Sequence, residues 1–448
     1  MTHPFLSLTD DDREAMLEAV GAGSVAELFA QIPEGVRLGR ELDLEPPLSE
    51  PELVAHLEEL ASRNVHTGAE LSFLGAGVYD HYVPAVVGAI LSRGEFLTAY
   101  TPYQPELSQG VLQAIFEYQT VICELTGMDV SNASGYDGCT VAADACFVAR
   151  NHTGRTTVVL TEATSPQVRQ VVRTYAPGFG LEVVEVPHRD GVTDPDELRA
   201  AADGAAAVLF QQPNFFGCLE PAPELAAAAE EAGAVAVAHV DPMSLGLLEA
   251  PGAYGCGIAI GEGQGAGNVQ SFGGPHYGFL AAKSEFTRRM PGRIIGETTD
   301  VNGERGFVLT LQTREQHIRR EKATSNITTN QTLLALGGLI TLGWHGPQGL
   351  REVGESCTAL AAYARERLAA AGFELLFPER ATFKEFGLRV GRNARDVVRA
   401  ARERGVHPGY ALGRDYEGMD DVLLVAVTEK RTPAEIDRLA EVLAEVAA

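Results

Sequence analysis

The small number of lysines limits the chemistry that this chain can perform. Its 448 residues include only four lysines, which are Lys283, Lys322, Lys384 and Lys430. A glycine-rich stretch, residues 261–278, lies between two short apolar runs and carries seven glycines but no lysine. So many glycines let the backbone approach a ligand or another segment closely. The stretch offers amides, such as that of Gln264, and an amide cannot form an imine with a carbonyl group.

The charge balance excludes two classes of partner. With 61 acidic and 35 basic residues the net charge is −26, and such a surface repels nucleic-acid phosphates and anionic lipid heads. No run of about 18 apolar residues is present, and the first residues show no basic segment followed by an apolar one. We therefore expect a cytoplasmic protein without nucleic-acid or membrane partners.

The cysteines and histidines show no metal-binding spacing. Six cysteines are scattered without a C-x-x-C pair, and eleven histidines include neither H-E-x-x-H nor H-x-H. We expect the cysteines to act as small buried hydrophobic residues, and we predict no metal site.

Apolar runs rich in β-branched residues alternate with helical segments between residues 156 and 283. This pattern predicts an α/β fold with a mostly parallel sheet and helices on both faces. The large domain would span residues 66–330, preceded by a helical arm (1–65) and followed by connecting helices and a small α+β domain (331–448). Ligands of such sheets bind beyond the carboxyl ends of the strands, where Asp241 and the glycine-rich stretch fall.

Tyrosines are crowded between residues 66 and 127, in two distinctive blocks. The first block, residues 73–84, contains Tyr79, His81 and Tyr82, and the second, residues 98–110, contains Tyr100, Tyr103, Gln104 and Glu106. Prolines at 102 and 105 forbid a helix in the second block. Two interpretations remain open: a rigid binding loop that presents phenols, an amide and a carboxylate, or a proline-rich turn whose tyrosines merely pack.

A glycine-containing turn, residues 132–140, leads into an apolar helix. Free amides and the positive end of a helix dipole could bind a phosphate there. However, Asp137 lies in the same turn and would repel a phosphate unless its carboxylate caps the helix. We weigh a self-capped helix start above a phosphate site.

The order of parts is that of the pyridoxal-phosphate enzymes of fold type I. In that fold an aspartate at a strand end pairs with the pyridine nitrogen, and a lysine further along the chain binds the cofactor as a Schiff base. Asp241 has the position of this aspartate. Counting onward along the chain reaches Gln264 at the position expected for the lysine. Without the cofactor, Asp241 is expected to bind or cap a neighbouring group. None of the four lysines has the required placement, and we expect all four at the surface.

Four longer motifs indicate a particular family among the enzymes of this fold. Residues 73–77, 101–110, 271–278 and 322–327 resemble motifs of the glycine decarboxylase P-protein family, and the resemblance covers essentially the whole chain. Its length is similar to that of subunit 1 in the two-chain bacterial form. In that family the homologous subunit 2 bears the catalytic lysine, whereas subunit 1 keeps the fold without it. The resemblance therefore implies that the missing lysine is an expected feature.

The resemblance also implies a component of the glycine cleavage system, glycine dehydrogenase (decarboxylating). Pyridoxal phosphate would lie on the lysine-bearing partner, subunit 2, and none would be bound covalently by this chain. The two subunits, expected as a heterotetramer, would decarboxylate glycine and pass the aminomethyl group to the lipoyl arm of H-protein. This chain alone would be inactive.

Candidate residues for a site shared with the partner, or for the lipoyl channel, come from the matching motifs and from the two tyrosine blocks that contain or adjoin them. They are Tyr79, His81, Tyr82, Tyr100, Tyr103, Gln104, Glu106, Ser271, Phe272, Gly273, Gly274 and Asn326. Two other functions stay open. One is a catalytically inactive scaffold or regulatory protein of this fold that binds partners through the Tyr/Pro-rich loop, and the other is a pyridoxal enzyme that uses Lys283.

Overall fold

The structure, a computed structural model, describes residues 7–323, 327 and 329–447. The chain forms two compact units, which divide between Val65 and His66. The first unit contains helices α1 (Asp10–Val20), α2 (Val25–Leu28) and α3 (Glu50–Ser62).

The helices of the first unit begin at polar residues that cap them. The Thr9 hydroxyl accepts from the Asp12 amide (3.2 Å) while the Asp12 carboxylate accepts from the Thr9 amide (2.9 Å). Ser49 and Glu52 form a second such box, and the Ser24 side chain caps α2. No residue within these three helices is buried. Local caps, rather than a core, therefore hold the helices of this unit.

The second unit alternates helices with strands. Its helices are α4 (Ala85–Leu91), α5 (Gly94–Leu97), α6 (Gln109–Thr126), α7 (Gly138–Thr153), α8 (Pro166–Phe179), α9 (Pro195–Ala201), α10 (Ala222–Glu231), α11 (Gln316–Arg319), α12 (Thr332–Ala370), α13 (Ala394–Arg402) and α14 (Pro433–Ala447). Its strands are β1 (Leu71–Ser72), β2 (Val130–Ser131), β3 (Thr157–Thr161), β4 (Glu182–Val186), β5 (His188–Arg189), β6 (Val192–Thr193), β7 (Ala207–Gln212), β8 (Val235–Val240), β9 (Ile258–Glu262), β10 (Gly278–Ala282), β11 (Ile294–Thr299), β12 (Arg305–Thr310), β13 (Glu374–Leu375), β14 (Glu385–Arg389), β15 (Val406–His407), β16 (Tyr410–Ala411) and β17 (Val422–Ala426).

The main sheet of this unit has the order β2-β10-β9-β8-β7-β3-β4 in the described part of the chain. Neighbouring strands from β9 to β4 run parallel, whereas β10 is antiparallel to both β9 and β2. Successive residues of a strand enter different cores: Phe210 and Ala238 pack on one face, and Leu209 and Val237 on the other. The predicted fold class, a mostly parallel sheet with helices on both faces, is confirmed.

The C-terminal part carries its own antiparallel sheet, in the order β13-β14-β17-β16. Helices α12, α13 and α14 share a core with it. Helix α12 bends at Gly346, whose φ and ψ are 58° and −175°, and the next residue is Pro347. Because a proline cannot continue the hydrogen-bond ladder, the connecting helices expected from the sequence are the two arms of one kinked helix.

Two strand pairings were not anticipated from the sequence. Strands β11 and β12 form an antiparallel hairpin within the arginine-rich residues 293–330, and β1 pairs in parallel with β15. In β12 only Phe307 is buried, so this strand lacks the continuous burial that marks the strands of the main sheet. Among the described helices none is both long and apolar enough to cross a membrane.

Candidate functional site

The carboxyl edge of the main sheet gathers the groups that the sequence singled out. Asp241 directly follows β8, β9 ends at Glu262, and α7 begins nearby at Gly138. Lys384 and Glu385, from the start of β14, close this edge from the C-terminal part. The cavity left between them is about 40 Å³. That volume holds only a few waters, since one water needs roughly 10–15 Å³.

Lys384 is buried against Asp241, so its expected surface position was wrong. Its side chain is 2% exposed, and its Nζ lies 2.5 Å from Asp241 Oδ2 and 2.7 Å from His81 Nε2. The ammonium also lies 3.6 Å from the centre of the Tyr79 ring, a cation–π contact. Burial acts to raise the pKa of Asp241, but the Lys384 ammonium beside it holds that pKa below its usual range. Asp241 thus binds a neighbouring group, as expected for the position without a cofactor.

Tyr79 and Glu385 continue this cluster. The Tyr79 hydroxyl donates to Glu385 Oε2 (2.8 Å), and Glu385 Oε1 accepts from the Ala76 amide (2.7 Å). Burial raises the pKa of Glu385 to about 7 and holds the pKa of Tyr79 well above its usual value. The phenol therefore acts here as a neutral hydrogen-bond donor.

Gln264 is a fully engaged structural amide. Its side chain is buried, Oε1 accepts from the Tyr79 amide (2.9 Å), and Nε2 donates to the carbonyls of Tyr79 (3.0 Å) and Asn268 (2.7 Å). These bonds join the first tyrosine block to the glycine-rich loop. The position that the sequence predicts for a Schiff-base lysine in this fold therefore holds a crosslink between two loops.

His81, Glu429 and Cys357 place three potential metal-ligating atoms within 4.8 Å of one another. However, Lys384 donates to His81 Nε2, so the ring proton lies on Nδ1 and is donated to Glu429 (2.7 Å). That tautomer leaves no imidazole lone pair for a metal ion. The Cys357 thiol donates to the same carboxylate (3.4 Å), and burial keeps the thiol protonated by raising its pKa. The cluster is a hydrogen-bond relay.

The start of α7 is capped by the chain itself. Asp137 Oδ1 accepts from the Thr140 amide (2.7 Å) in a capping box, and Glu262 Oε2 accepts from the Gly138 amide (2.9 Å). Burial, with a smaller contribution from the Asp137 charge, raises the pKa of Glu262 to about 8. The self-capped helix start predicted from the sequence is confirmed.

His239 lies beside this cluster with both ring nitrogens unpaired among the described residues. It lines the cavity and is buried. Burial lowers the pKa of His239 to about 4, although the Asp241 charge acts in the opposite direction. The imidazole is neutral at pH 7, and water within the cavity can satisfy its nitrogens.

The predicted site residues divide into an inner and an outer set. Tyr79 and His81 belong to the inner set, in contact with Lys384. Tyr82 is 59% exposed, although its amide donates to Glu429 Oε1 (2.7 Å). The first tyrosine block therefore contributes both to the buried cluster and to the surface.

The outer set lies on exposed loops. Tyr100, Gln104 and Glu106 are exposed, as are Ser271, Phe272 and Gly273, with Gly274 half-buried. Tyr103 is half-buried beneath the Arg293 guanidinium, 5.0 Å from its ring centre, and its hydroxyl donates to Asn330 (3.3 Å). Asn326 lies outside the described residues. In the second block Tyr103 therefore packs, whereas Tyr100 is exposed, and binding of a partner by this loop stays a prediction.

The sequence analysis missed most of the buried charges. Lys384, Glu385, Glu429 and Glu262 all line or support the cluster. The available signal was the adjacent Lys384 and Glu385 immediately before residues 386–390, which are apolar apart from Arg389. Charged side chains at the start of a buried strand need hydrogen-bonding or oppositely charged partners. Here those partners come from distant parts of the chain.

Known structures with this architecture define its class. A cysteine desulfurase from Thermococcus onnurineus aligns with a TM-score of 0.64 at 15% identity, covering 85% of this chain and 95% of that one. A sphingosine-1-phosphate lyase from Burkholderia pseudomallei aligns with a TM-score of 0.65 at 16% identity, covering 93% and 94%. Such low identity shows the fold alone. The chain has the fold of the pyridoxal-phosphate enzymes of fold type I.

Sequence comparison gives the family. The model for the glycine cleavage system P-protein matches residues 3–443. The chain is 51% identical over 437 residues to "Probable glycine dehydrogenase (decarboxylating) subunit 1" of Moorella thermoacetica, covering 97% of this chain and 98% of the relative. It is 47% identical over 446 residues to the protein of the same name from Anoxybacillus flavithermus, covering 99% of each. The chain belongs to the glycine cleavage system P-protein family, which confirms the resemblance.

A solved structure agrees with this assignment. The crystal structure of glycine decarboxylase (P-protein) of the glycine cleavage system, in inhibitor-bound form, aligns with a TM-score of 0.90 at 44% identity. The alignment covers 99% of this chain and all of that one. The names of the relatives support glycine dehydrogenase (decarboxylating) as the reaction class, with this chain as one subunit.

Proposed function

We propose that this chain is the non-lysine-bearing subunit of a glycine dehydrogenase (decarboxylating) of the cytoplasmic glycine cleavage system. Its partner, subunit 2, carries pyridoxal phosphate, and the assembled heterotetramer decarboxylates glycine and transfers the aminomethyl group to the lipoyl arm of H-protein. The pyridinium ring of the partner's cofactor supplies an electron sink for that chemistry. This chain completes the partner's site and is inactive alone.

The observation that carries this proposal is the engagement of Gln264. An amide that is buried and hydrogen-bonded at both ends offers neither a nucleophile nor space for one. Lys384 is the lysine that lines the cavity, and its ammonium is paired with Asp241. A chain of this family with this arrangement depends on a partner for covalent binding of the cofactor.

The alternative use of Lys283 has no structural support. The Lys283 ammonium donates to the Gly127 carbonyl (2.7 Å), and Lys283 does not line the cavity. Lys430 likewise pairs with Asp80 (2.6 Å). These contacts favour structural roles for both amines.

The surface supports association with another macromolecule. Tyr100 is 95% exposed, Phe272 is 85% exposed and Leu107 is 78% exposed. Exposed aromatic residues of this kind are enriched where proteins contact one another. Leu107 and Phe272 lie in motifs that match the family and Tyr100 directly precedes one, so we assign all three to contacts with subunit 2 or with H-protein.

Reconstitution tests this function. Glycine-dependent release of CO2 with lipoylated H-protein is measured for this chain, for a lysine-bearing subunit 2, and for their mixture, while the visible spectrum of each is recorded. We expect activity only in the mixture and a cofactor absorbance band only in samples that contain subunit 2. Heat-denatured chain added to subunit 2 serves as the control.

Two outcomes would contradict the proposal. Full activity of subunit 2 alone would favour the inactive scaffold or regulatory protein that binds through the Tyr/Pro-rich loop. A cofactor band in this chain alone would show that one of its own lysines binds pyridoxal phosphate.

A further inference from the structure

The pocket expected for pyridoxal phosphate in this fold does not fit the cofactor, although the residues at its two ends remain. The cofactor needs a carboxylate for its pyridine nitrogen, amide donors for its phosphate and a cavity between them. Asp241 supplies the carboxylate and the α7 N-terminus supplies the amides. Both are engaged by other groups of this chain.

At the pyridine end, Lys384 takes the place of the ring nitrogen. Its ammonium donates to Asp241 Oδ2 at 2.5 Å, as a protonated pyridine would, and lies over the Tyr79 ring. Lys384 has a second acceptor in His81 Nε2 (2.7 Å), and His81 in turn donates to Glu429. The occupant is therefore fixed by a series of hydrogen bonds rather than being a mobile side chain.

At the phosphate end, two carboxyl groups take the amides. Glu262 accepts from the Gly138 amide and Asp137 accepts from the Thr140 amide. The two backbones also touch here, since a Cβ atom added to Gly138 would come within 2.8 Å of the Glu262 nitrogen. While the Glu262 carboxyl group accepts from the Gly138 amide, no phosphate oxygen can take that amide.

The space between the two ends is also small. About 40 Å³ of cavity remains, whereas pockets for small ligands have roughly 300–1,000 Å³. Gln264 bridges Tyr79 and Asn268 across the position of the missing lysine. Loss of the lysine is therefore one of several changes in this pocket.

We propose that this chain excludes pyridoxal phosphate by internal substitution, with Lys384 standing in for the pyridinium group and Glu262 for the phosphate group. The pocket is a permanent packing element that joins the main sheet to the C-terminal sheet. Restoring a lysine at position 264 would therefore not make this chain bind the cofactor. The inference goes beyond the proposed function, because it concerns the isolated chain and holds whether or not the chain serves a decarboxylase.

Binding of pyridoxamine phosphate to the isolated chain tests this inference. This probe has the ring and the phosphate but cannot form an imine with surface lysines. Its binding is measured by equilibrium dialysis for the wild type, Q264K, K384A, E262A and K384A/E262A, and K322A serves as a control because Lys322 is exposed. Circular dichroism and denaturant unfolding confirm which variants are folded.

We expect no saturable binding at millimolar probe for the wild type, Q264K or K322A, and saturable binding at one site for K384A/E262A. One-site binding by the wild type would overturn the inference, and so would a folded K384A/E262A variant that binds no better than the wild type. Reaction with pyridoxal phosphate and borohydride, followed by peptide mapping, gives a second readout. Lys322 should be labelled and Lys384 should not, and labelling of Lys384 in the native chain would contradict its fixed pairing.

These results are independent of the reconstitution experiment. A mixture with subunit 2 that fails to release CO2 would reject the proposed function and leave the binding results unchanged. Probe binding by the wild-type chain would reject internal substitution even if the mixture were active.

Discussion

The ammonium of Lys384 lies 2.5 Å from a carboxylate oxygen of Asp241, and the two side chains are only 2% and 14% exposed. Asp241 follows the central strand β8 of the main sheet, whereas Lys384 precedes β14 of the C-terminal sheet. One nearly dry ion pair thus connects the two sheets. Removing either partner would leave a buried charge without compensation.

Lys384 and Asp241 should behave as a coupled pair in a double-mutant cycle. We expect K384M and D241N each to lower the free energy of unfolding by about 3–5 kcal/mol, because each leaves its partner unpaired. The double variant should lose clearly less than the sum of the two. Urea denaturation measures all three, with K322M at an exposed lysine as the control. Additive losses would mean that the two charges do not stabilise each other.

Gln264 should matter for stability rather than for chemistry. The Q264A variant removes one buried and two partly buried hydrogen bonds, which are those to the Tyr79 amide, the Tyr79 carbonyl and the Asn268 carbonyl. We expect a loss of about 2–4 kcal/mol in the free energy of unfolding. Q170A, at an exposed helical glutamine, is the matched control. A loss for Q264A equal to that of the control would show that the amide does not hold the loops together.

The main sheet could be predicted because its signals are local. Parallel strands buried on both faces are continuous apolar runs, such as Val235–Val240, and the helix starts at Thr9 and Asp137 are marked by capping residues beside them. The position of Gln264 could be counted from Asp241 along the chain. Each of these predictions needed only neighbouring residues.

The closure of the pocket could not be predicted in this way. Whether Lys384 lies at the surface or in the core depends on Asp241 and His81, which come from other parts of the chain. A lysine beside an apolar strand is usually exposed, and only a buried partner reverses that preference. For the same reason the sequence could not separate half-buried Tyr79 from exposed Tyr100.

Asp137 should contribute to stability as a helix cap. Its carboxylate accepts from the Thr140 amide at the start of α7. Replacing it with alanine should lower the free energy of unfolding by about 0.5–2 kcal/mol, whereas D137S should recover most of that loss. Thermal and urea unfolding of the two variants provide the comparison. Equal losses for alanine and serine would mean that the carboxylate acts through its charge and not as a cap.

Glu262 should give stability a specific dependence on pH. Its pKa in the folded chain, about 8, lies above the ordinary value of 4.5, chiefly because of burial. The folded state thus binds a proton that the unfolded state releases, so this group lowers the free energy of unfolding as pH rises from 4.5 towards 8. E262Q cannot titrate, and its stability relative to the wild type should improve over that interval.

Urea denaturation of E262Q and of the wild type at several pH values measures this difference. E224Q, at an exposed glutamate, supplies the control. The absolute stability of E262Q also reflects a lost acceptor for the Gly138 or Gln264 amide. For that reason the slope with pH is the informative quantity, and a slope equal to that of E224Q would show that Glu262 is ionised throughout.

Tyr100 and Phe272 should separate function from folding. Both are almost fully exposed, so Y100A and F272A should leave the free energy of unfolding within about 0.5 kcal/mol of the wild type. If they contact subunit 2 or H-protein, kcat/KM of the reconstituted mixture should fall about tenfold or more, a cost of roughly 1.4 kcal/mol in transition-state stabilisation. V301A, at a fully exposed residue between β11 and β12, should change neither quantity.

The rate of each reconstituted mixture, measured at several concentrations of subunit 2 and of H-protein, identifies which of the two proteins the residue contacts. A variant that needs more subunit 2 to reach the same rate has lost affinity for that subunit, whereas one that needs more H-protein has lost the docking contact. Wild-type rates for both variants, in a mixture that still requires this chain, would place the shared site away from these two loops. Tyr79 and His81 would then be the remaining candidate residues through which this chain affects its partner. Both contact the fixed Lys384.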